Sequence, residues 1–180
     1  MTDYFYADPH FGNEMVIEYC KRPWRNAAHM DSGLIKIYNS IITDSDTVYI
    51  VGDLTLKTAR HRGYIEGIVE KLNGRKILIL GNHDNLKPFV YEKLDFHSVH
   101  TLLDYRCGDF EATLVHDPKR AKENRSRLYL CGHSHDDYLT TKNILNVGVD
   151  VHEYKPISLD TVMEISKEMG FWISEEGMIV

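Results

Sequence analysis

A chain of 180 residues with a formal net charge of -6, 43% hydrophobic and 27% charged residues has the length of one domain, 1–180, and the balance of an ordinary globular protein. The acidic balance argues against a protein that coats nucleic acid non-specifically, though not against a local site that receives phosphate. Cys20, Cys107 and Cys131 show no Cys-x-x-Cys spacing, which excludes a thiolate zinc motif and a disulfide framework; with no basic-then-apolar leader and no apolar run of about 20 residues, a cytoplasmic protein without membrane contact is expected.

In chain order, residues 4–7 form a short aromatic strand halted by Asp8-Pro9-His10-Phe11-Gly12. Asn13 is placed to cap a helix reaching Tyr19, and Lys21-Arg22-Pro23-Trp24-Arg25 reads as a basic, aromatic loop. A helix starting at Asp31 or Ser32 carries Leu34, Ile35, Tyr38, Ile41 and Ile42 on one stripe. Residues 47–51 are a β-branched strand running into Gly52-Asp53, and residues 59–72 a helix with Ile65, Ile68, Val69 and Leu72 inward. That helix returns through Asn73-Gly74 to a strand apolar at every position of 77–80, as a strand covered on both faces would be. Gly81 permits a sharp turn at its end, presenting Asn82-His83-Asp84. The β-α-β order predicts a right-handed crossover and parallel neighbours.

Beyond Asp84 the spacing predicts a helix over 88–93, then strands over 98–103 and 110–115, where the sheet turns antiparallel. The second of these ends in His116-Asp117-Pro118 and opens a polar loop with Lys119, Arg120, Lys122, Arg125 and Arg127. Residues 128–131 are a strand ending in Gly132-His133-Ser134-His135; a last helix follows Ser158, and 171–180 read as a hairpin turning at Glu176-Gly177.

Five strands thus end in side chains able to bind metal: Asp8 with His10, Asp53, Asn82 with His83, His116, and His133 with His135. His29, His61, His97, His100 and His152 read as surface or packing residues instead. Carboxylate, imidazole and amide donors without thiolate suit Mn, Fe, Zn, Co or Ni rather than a structural zinc. Asp-x-His and His-x-His in extended chain put both side chains on one face. Two ions roughly 3.5 to 4 Å apart would clamp a phosphoryl group and generate hydroxide from a bridging water, and their charge would let an acidic chain hold an anionic substrate.

At this point the sequence resembles the calcineurin-like metallophosphoesterases, whose blocks Asp-x-His, Gly-Asp, Gly-Asn-His-Asp/Glu, a lone His and Gly-His-x-His all occur here in order: Asp8-Pro9-His10, Gly52-Asp53, Gly81-Asn82-His83-Asp84, His116 and Gly132-His133-Ser134-His135. Phe11-Gly12 and Asn146-Val147-Gly148-Val149-Asp150 extend the likeness to the small bacterial and phage branch. The resemblance implies an α/β fold, a four-layer α/β/β/α sandwich with two central mixed sheets. It implies that Asp8, His10, Asp53 and His135 hold one metal and Asp53, Asn82, His116 and His133 the other, Asp53 bridging, with Mn or Fe favoured. His83 would face the phosphoryl group and protonate the leaving oxygen, with Asp84 orienting it, although Asp84 also reads as a helix cap.

Two departures, Asn13 where relatives often carry a histidine and Val115 where serine is frequent, remove no ligand. Without the insertions of nuclease or protein-phosphatase members, the expected substrates are small phosphoesters or nucleotides, or short nucleic-acid ends, with diesters ahead of monoesters. Lys119, Arg120, Lys122, Arg125 and Arg127 could grip a second phosphate or form a solvated charge run; Arg22, Trp24 and Arg25 could add charge and stacking, or Trp24 could simply pack. The competing reading is a non-catalytic metal-binding scaffold on the same fold.

Overall fold

The computed structural model describes residues 1–56, 62–122 and 127–171. The order is β1 (Asp3–Tyr6), α1 (Met15–Tyr19), α2 (Ala27–Asn39), β2 (Thr47–Val51), α3 (Arg62–Val69), β3 (Arg75–Ile79), α4 (Pro88–Glu92), β4 (Phe96–His100), β5 (Leu103–Cys107), β6 (Phe110–Leu114), β7 (Leu128–Cys131), β8 (Thr140–Thr141), β9 (Ile144–Asn146), β10 (Ile157–Ser158) and α5 (Leu159–Glu168). Two five-stranded sheets result, ordered β10-β1-β2-β3-β4 and β5-β6-β7-β9-β8. In the first, β1 to β4 run parallel and β10 antiparallel; in the second, β6, β7 and β9 are parallel between antiparallel edges β5 and β8.

Burial follows the side-chain alternation of the strands. One face of the first sheet sends Tyr6, Val48, Ile50 and Leu78 against Val16, Leu34, Tyr38, Ile65 and Val69 of the helices. Its other face sends Phe5, Ala7, Val51, Ile77 and Ile79 against Ala112, Leu114, Leu130, Leu145 and Val147 of the second sheet, with Val162 of α5 in the same cluster. Val115, Tyr129, Cys131 and Ile144 form a third cluster, against which Ala121 and Tyr138 pack. The architecture is the expected α/β/β/α sandwich with two mixed sheets flanked by helices. Both faces of β3 are covered, which accounts for its unbroken apolar run.

Two local expectations are corrected. The helix placed from Asp31 or Ser32 begins at Ala27, because the Asn26 side chain caps it by accepting from the His29 amide at 2.9 Å. Asp31 is instead buried within that helix and receives the Gly12 amide at 2.8 Å and the Tyr64 hydroxyl. The strand placed at 98–103 is two strands: β4 stays parallel to β3 in the first sheet, and only β5 with β6 makes the antiparallel hairpin. The last helix is as expected, with Ser158 accepting from the Thr161 amide at 3.2 Å. The hairpin expected at 171–180 falls outside the described residues apart from Phe171, and 59–61 of the expected middle helix do likewise. Among the described residues no helix is long and apolar enough to cross a membrane.

Candidate metal centre

The carboxyl ends of β1, β2, β3, β6 and β7 open onto one place. Short backbone bonds knit them together: the Asp8 amide donates to Gly52 O and the His10 amide to Asp53 O, both at 3.1 Å, and the His133 amide donates to Asp8 Oδ2 at 2.9 Å. All seven expected metal ligands are brought to this rim. Asp8, His10 and His135 present one group of donor atoms within 4.8 Å of one another, and Asp53, His116 and His133 a second. Asn82 joins the second group, its Oδ1 lying 2.9 Å from His133 Nδ1 and 3.1 Å from His116 Nε2.

Asp53 stands between the groups. Its Oδ2 is 3.2 Å from His116 Nε2 and 3.6 Å from His10 Nε2, while Oδ1 accepts the His83 amide at 2.9 Å. The backbone is bent to make this possible. Asp8, His10, Asp53, His133 and His135 have φ of 57°, 52°, 53°, 71° and 44°, five of the ten non-glycine residues in the left-handed region among those described. Such conformations cost on the order of 1 kcal/mol or more apiece and persist where surrounding structure enforces them. Gly81 serves differently from the turn expected of it: a methyl group there would overlap the Asp53 carboxylate and amide, so glycine is required by close approach. Gly52, at φ +87° and against the His116 ring, is required on both counts.

Burial and charge set the titration of the group. Burial raises the Asp8 carboxyl to about 6 and lowers His10 to about 3, so this imidazole stays neutral across the physiological range. Burial works against charge at His116 and Asp53 too, but their mutual hydrogen bond overrides it, holding His116 at about 9 and Asp53 at about 2. The donors fit a hard-to-borderline cation: oxygen and nitrogen atoms, no thiolate in either group, and buried atoms with no hydrogen-bond partner at Asp8 Oδ1, His10 Nδ1 and His10 Nε2.

Supporting contacts fix which ring nitrogen faces the centre. His116 Nδ1 donates to Val51 O at 2.9 Å and His135 Nδ1 donates to Asp150 Oδ2 at 2.8 Å, freeing Nε2 of each. In the sequence Asp150 only closes the stretch Asn146-Val147-Gly148-Val149-Asp150; nothing local marks it as the support of His135.

His83 keeps its side chain 42% exposed, with Nε2 3.9 Å from Asp53 Oδ2 and its ring 5.4 Å from that of His10. Asp84 departs from expectation. Its fully enclosed carboxylate accepts the amides of Gly81 and Asp53 at 2.8 Å and Leu54 at 3.1 Å, tying the two loops together rather than orienting the His83 ring. Burial raises its carboxyl to about 7.

The basic residues divide. Arg22, expected on a substrate-facing loop, is buried and pairs with Asp150, donating also to Asp8 O at 2.8 Å and Pro9 O at 2.9 Å. Trp24 packs its indole over Gly33 and meets Tyr154 at 4.5 Å between centroids, the packing alternative rather than a base platform. Arg25 is exposed, as are Lys119, Lys122 and Arg120, the last donating to Thr101 O at 2.9 Å. Arg127 is drawn to Asp104 and Thr113, away from a phosphate-gripping role; Arg125 lies outside the described residues.

No family model matches the chain. The protein MJ1445 of Methanocaldococcus jannaschii, itself uncharacterized, is 31% identical over 170 residues, covering 90% of this chain and 89% of that one. The gene 66 protein of Mycobacterium phage L5 is 26% identical over 210 residues, covering 97% of each. Among solved structures, AQ665 of Aquifex aeolicus, a protein of unknown function, superposes with a TM-score of 0.70 at 23% identity over 91% of this chain and 98% of its own, a likeness of fold. With MJ1445 matched over nine-tenths of both chains and the same fold in AQ665, the chain belongs to the family of MJ1445, and its five ordered blocks, converging on one rim, carry the resemblance to the small calcineurin-like metallophosphoesterases.

Proposed function

We propose that the protein is a dinuclear-metal-dependent phosphoesterase acting on nucleotides or other small phosphoesters, diesters ahead of monoesters. The observation that carries this reading is the position of Asp53 Oδ2, one carboxylate oxygen reaching toward His116 of one donor group and His10 of the other. On this reading Asp8, His10, Asp53 and His135 hold one ion and Asp53, Asn82, His116 and His133 the second. Mn or Fe is favoured by the mixed oxygen and nitrogen donors. The ions would supply Lewis acidity, neutralising phosphoryl charge and acidifying a water.

The chain's own groups do the rest. Left-handed backbone at five ligand positions and the Arg22, Asp150, Val51 and Asp84 contacts hold the donors in place before substrate arrives, which supports preorganisation. His83 belongs to neither donor group, and its partial exposure leaves its Nε2 free to meet a leaving oxygen and give it a proton.

Purified protein is expected to carry about two transition-metal ions and to hydrolyse bis(p-nitrophenyl) phosphate, losing activity to a chelator and regaining it with manganese. Metal-loaded protein inert on diesters and monoesters alike would sink the reading and favour a metal-binding scaffold.

A further inference from the structure

Tyr19 ends α1 at the rim of the centre and is 75% exposed, with Met15, four residues earlier on the same helical face, 76% exposed. Isolated apolar residues on a surface need no explanation, but this ring is not isolated. Among the described residues its one ring contact is with His135, at 5.9 Å between centroids and 73°, edge to face. From there the rings of His135, His10 and His83 follow at 5.2 and 5.4 Å, an unbroken aromatic run from solvent into the ligand set.

The helix that carries the ring is also held. Val16 and Cys20 bury the opposite side of α1, and the Arg22 amide donates to Ile17 O at 2.9 Å. The Arg22 guanidinium then fastens that corner to Asp8 O, Pro9 O and Asp150, the residue that orients His135. An exposed face of an aromatic side chain, carried on an anchored helix beside the place where a phosphoryl group would sit, suits a planar group carried by the same substrate.

We propose that Tyr19, with Met15 beside it, is the platform on which a nucleobase stacks, so that the substrate class is nucleotides or nucleotide ends rather than aliphatic phosphoesters. The inference rests on the phosphoesterase reading and deepens it. Trp24, the aromatic that the sequence offered for stacking, is spent on packing against Gly33 and Tyr154. A phosphate among the ligands and a base one ribose away would reach Tyr19 past the edge of His135.

The test uses manganese-loaded protein and two readouts. Fluorescence of 2-aminopurine riboside 5′-monophosphate should be quenched on binding to the unaltered protein and to Tyr19→Phe, and Tyr19→Ala should weaken binding roughly tenfold or more, the scale of one base–aromatic stack. In turnover, the ratio of kcat/KM for a mononucleotide over that for glycerol phosphate should fall by a similar factor in Tyr19→Ala, chiefly through KM. Equal quenching in Tyr19→Ala, or an unchanged ratio with hydrolysis intact, overturns the platform and leaves the phosphoesterase reading standing. Tyr19-dependent quenching with no hydrolysis of any ester supports the platform and removes the hydrolytic reading.

Discussion

Arg22 and Asp150, 128 positions apart, close in a two-pronged pair, Nε to Oδ1 at 2.7 Å and Nη2 to Oδ2 at 2.8 Å, with both side chains shut off from water. Asp150 Oδ2 also receives Nδ1 of His135, so one carboxylate links a structural cation to a candidate metal ligand. Arg22 in turn anchors the carbonyls of Asp8 and Pro9.

Removing Asp150 should therefore act twice. Asp150→Ala leaves a buried guanidinium unpaired, expected to cost about 3–5 kcal/mol in urea denaturation. It also releases His135, and metal affinity in calorimetric titration should fall about 10–100-fold. Arg22→Lys should not restore stability, because a single ammonium cannot reach Asp150, Asp8 O and Pro9 O together.

His83→Ala tests the proton donor without disturbing the frame. The tie to Asp53 Oδ1 runs through the His83 backbone amide, which alanine keeps. Metal content by elemental analysis should stay near that of the unaltered protein while turnover of a poorly activated ester falls about 10²–10⁴-fold. Turnover unchanged in this variant would remove His83 from catalysis.

In the metal-free protein His10 should contribute stability that acid removes, opposed over part of the same range by the raised carboxyls of Asp8 and Asp84. Burial lowers its pKa to about 3, against 6.5 unperturbed, so between these values the unfolded chain binds a proton that the folded protein does not. This contribution is fully present above pH 6.5 and declines as pH falls toward 3, by about 1.4 kcal/mol per pH unit. His10→Asn removes the titrating ring and, of the available residues, best tolerates the positive φ; the stability difference between the unaltered protein and this variant in urea should shrink by about this slope as pH falls through that window.

Gly81→Ala should be far worse than its size suggests. The added methyl overlaps Asp53 between the two donor groups, and strain of about 1–3 kcal/mol in thermal unfolding is expected together with loss of bound metal. The same change at Gly63, where an added carbon meets nothing within 4 Å, should leave metal content unchanged and stability equal or higher.

The five ligand blocks were legible because each is local: an apolar strand that stops at a glycine or proline and a metal-binding residue is written within about ten positions. The order of strands and helices, and with it the parallel half of the first sheet, followed from the same short-range periodicities. Asn26 was missed as a cap because Asp31 and Ser32 competed for the role, and burial of Asp31 under Tyr64 decided between them.

What the sequence by itself determined is which chemistry the chain carries, since donor types and their local spacing survive in one dimension. Only the tertiary structure decided how that chemistry is held and faced. Arg22 reads identically as a phosphate-gripping loop residue and as a buried clamp until Asp150 arrives from 128 positions away. Gly81 reads as a turn until Asp53 presses against it, and Asp84 as a cap until it collects amides from 30 and 31 positions upstream. Tyr19 was a helix end with no assigned role until His135 came to lie beside it. Each of these depends on desolvation and close contact between distant segments, quantities that exist only once the two sheets have met.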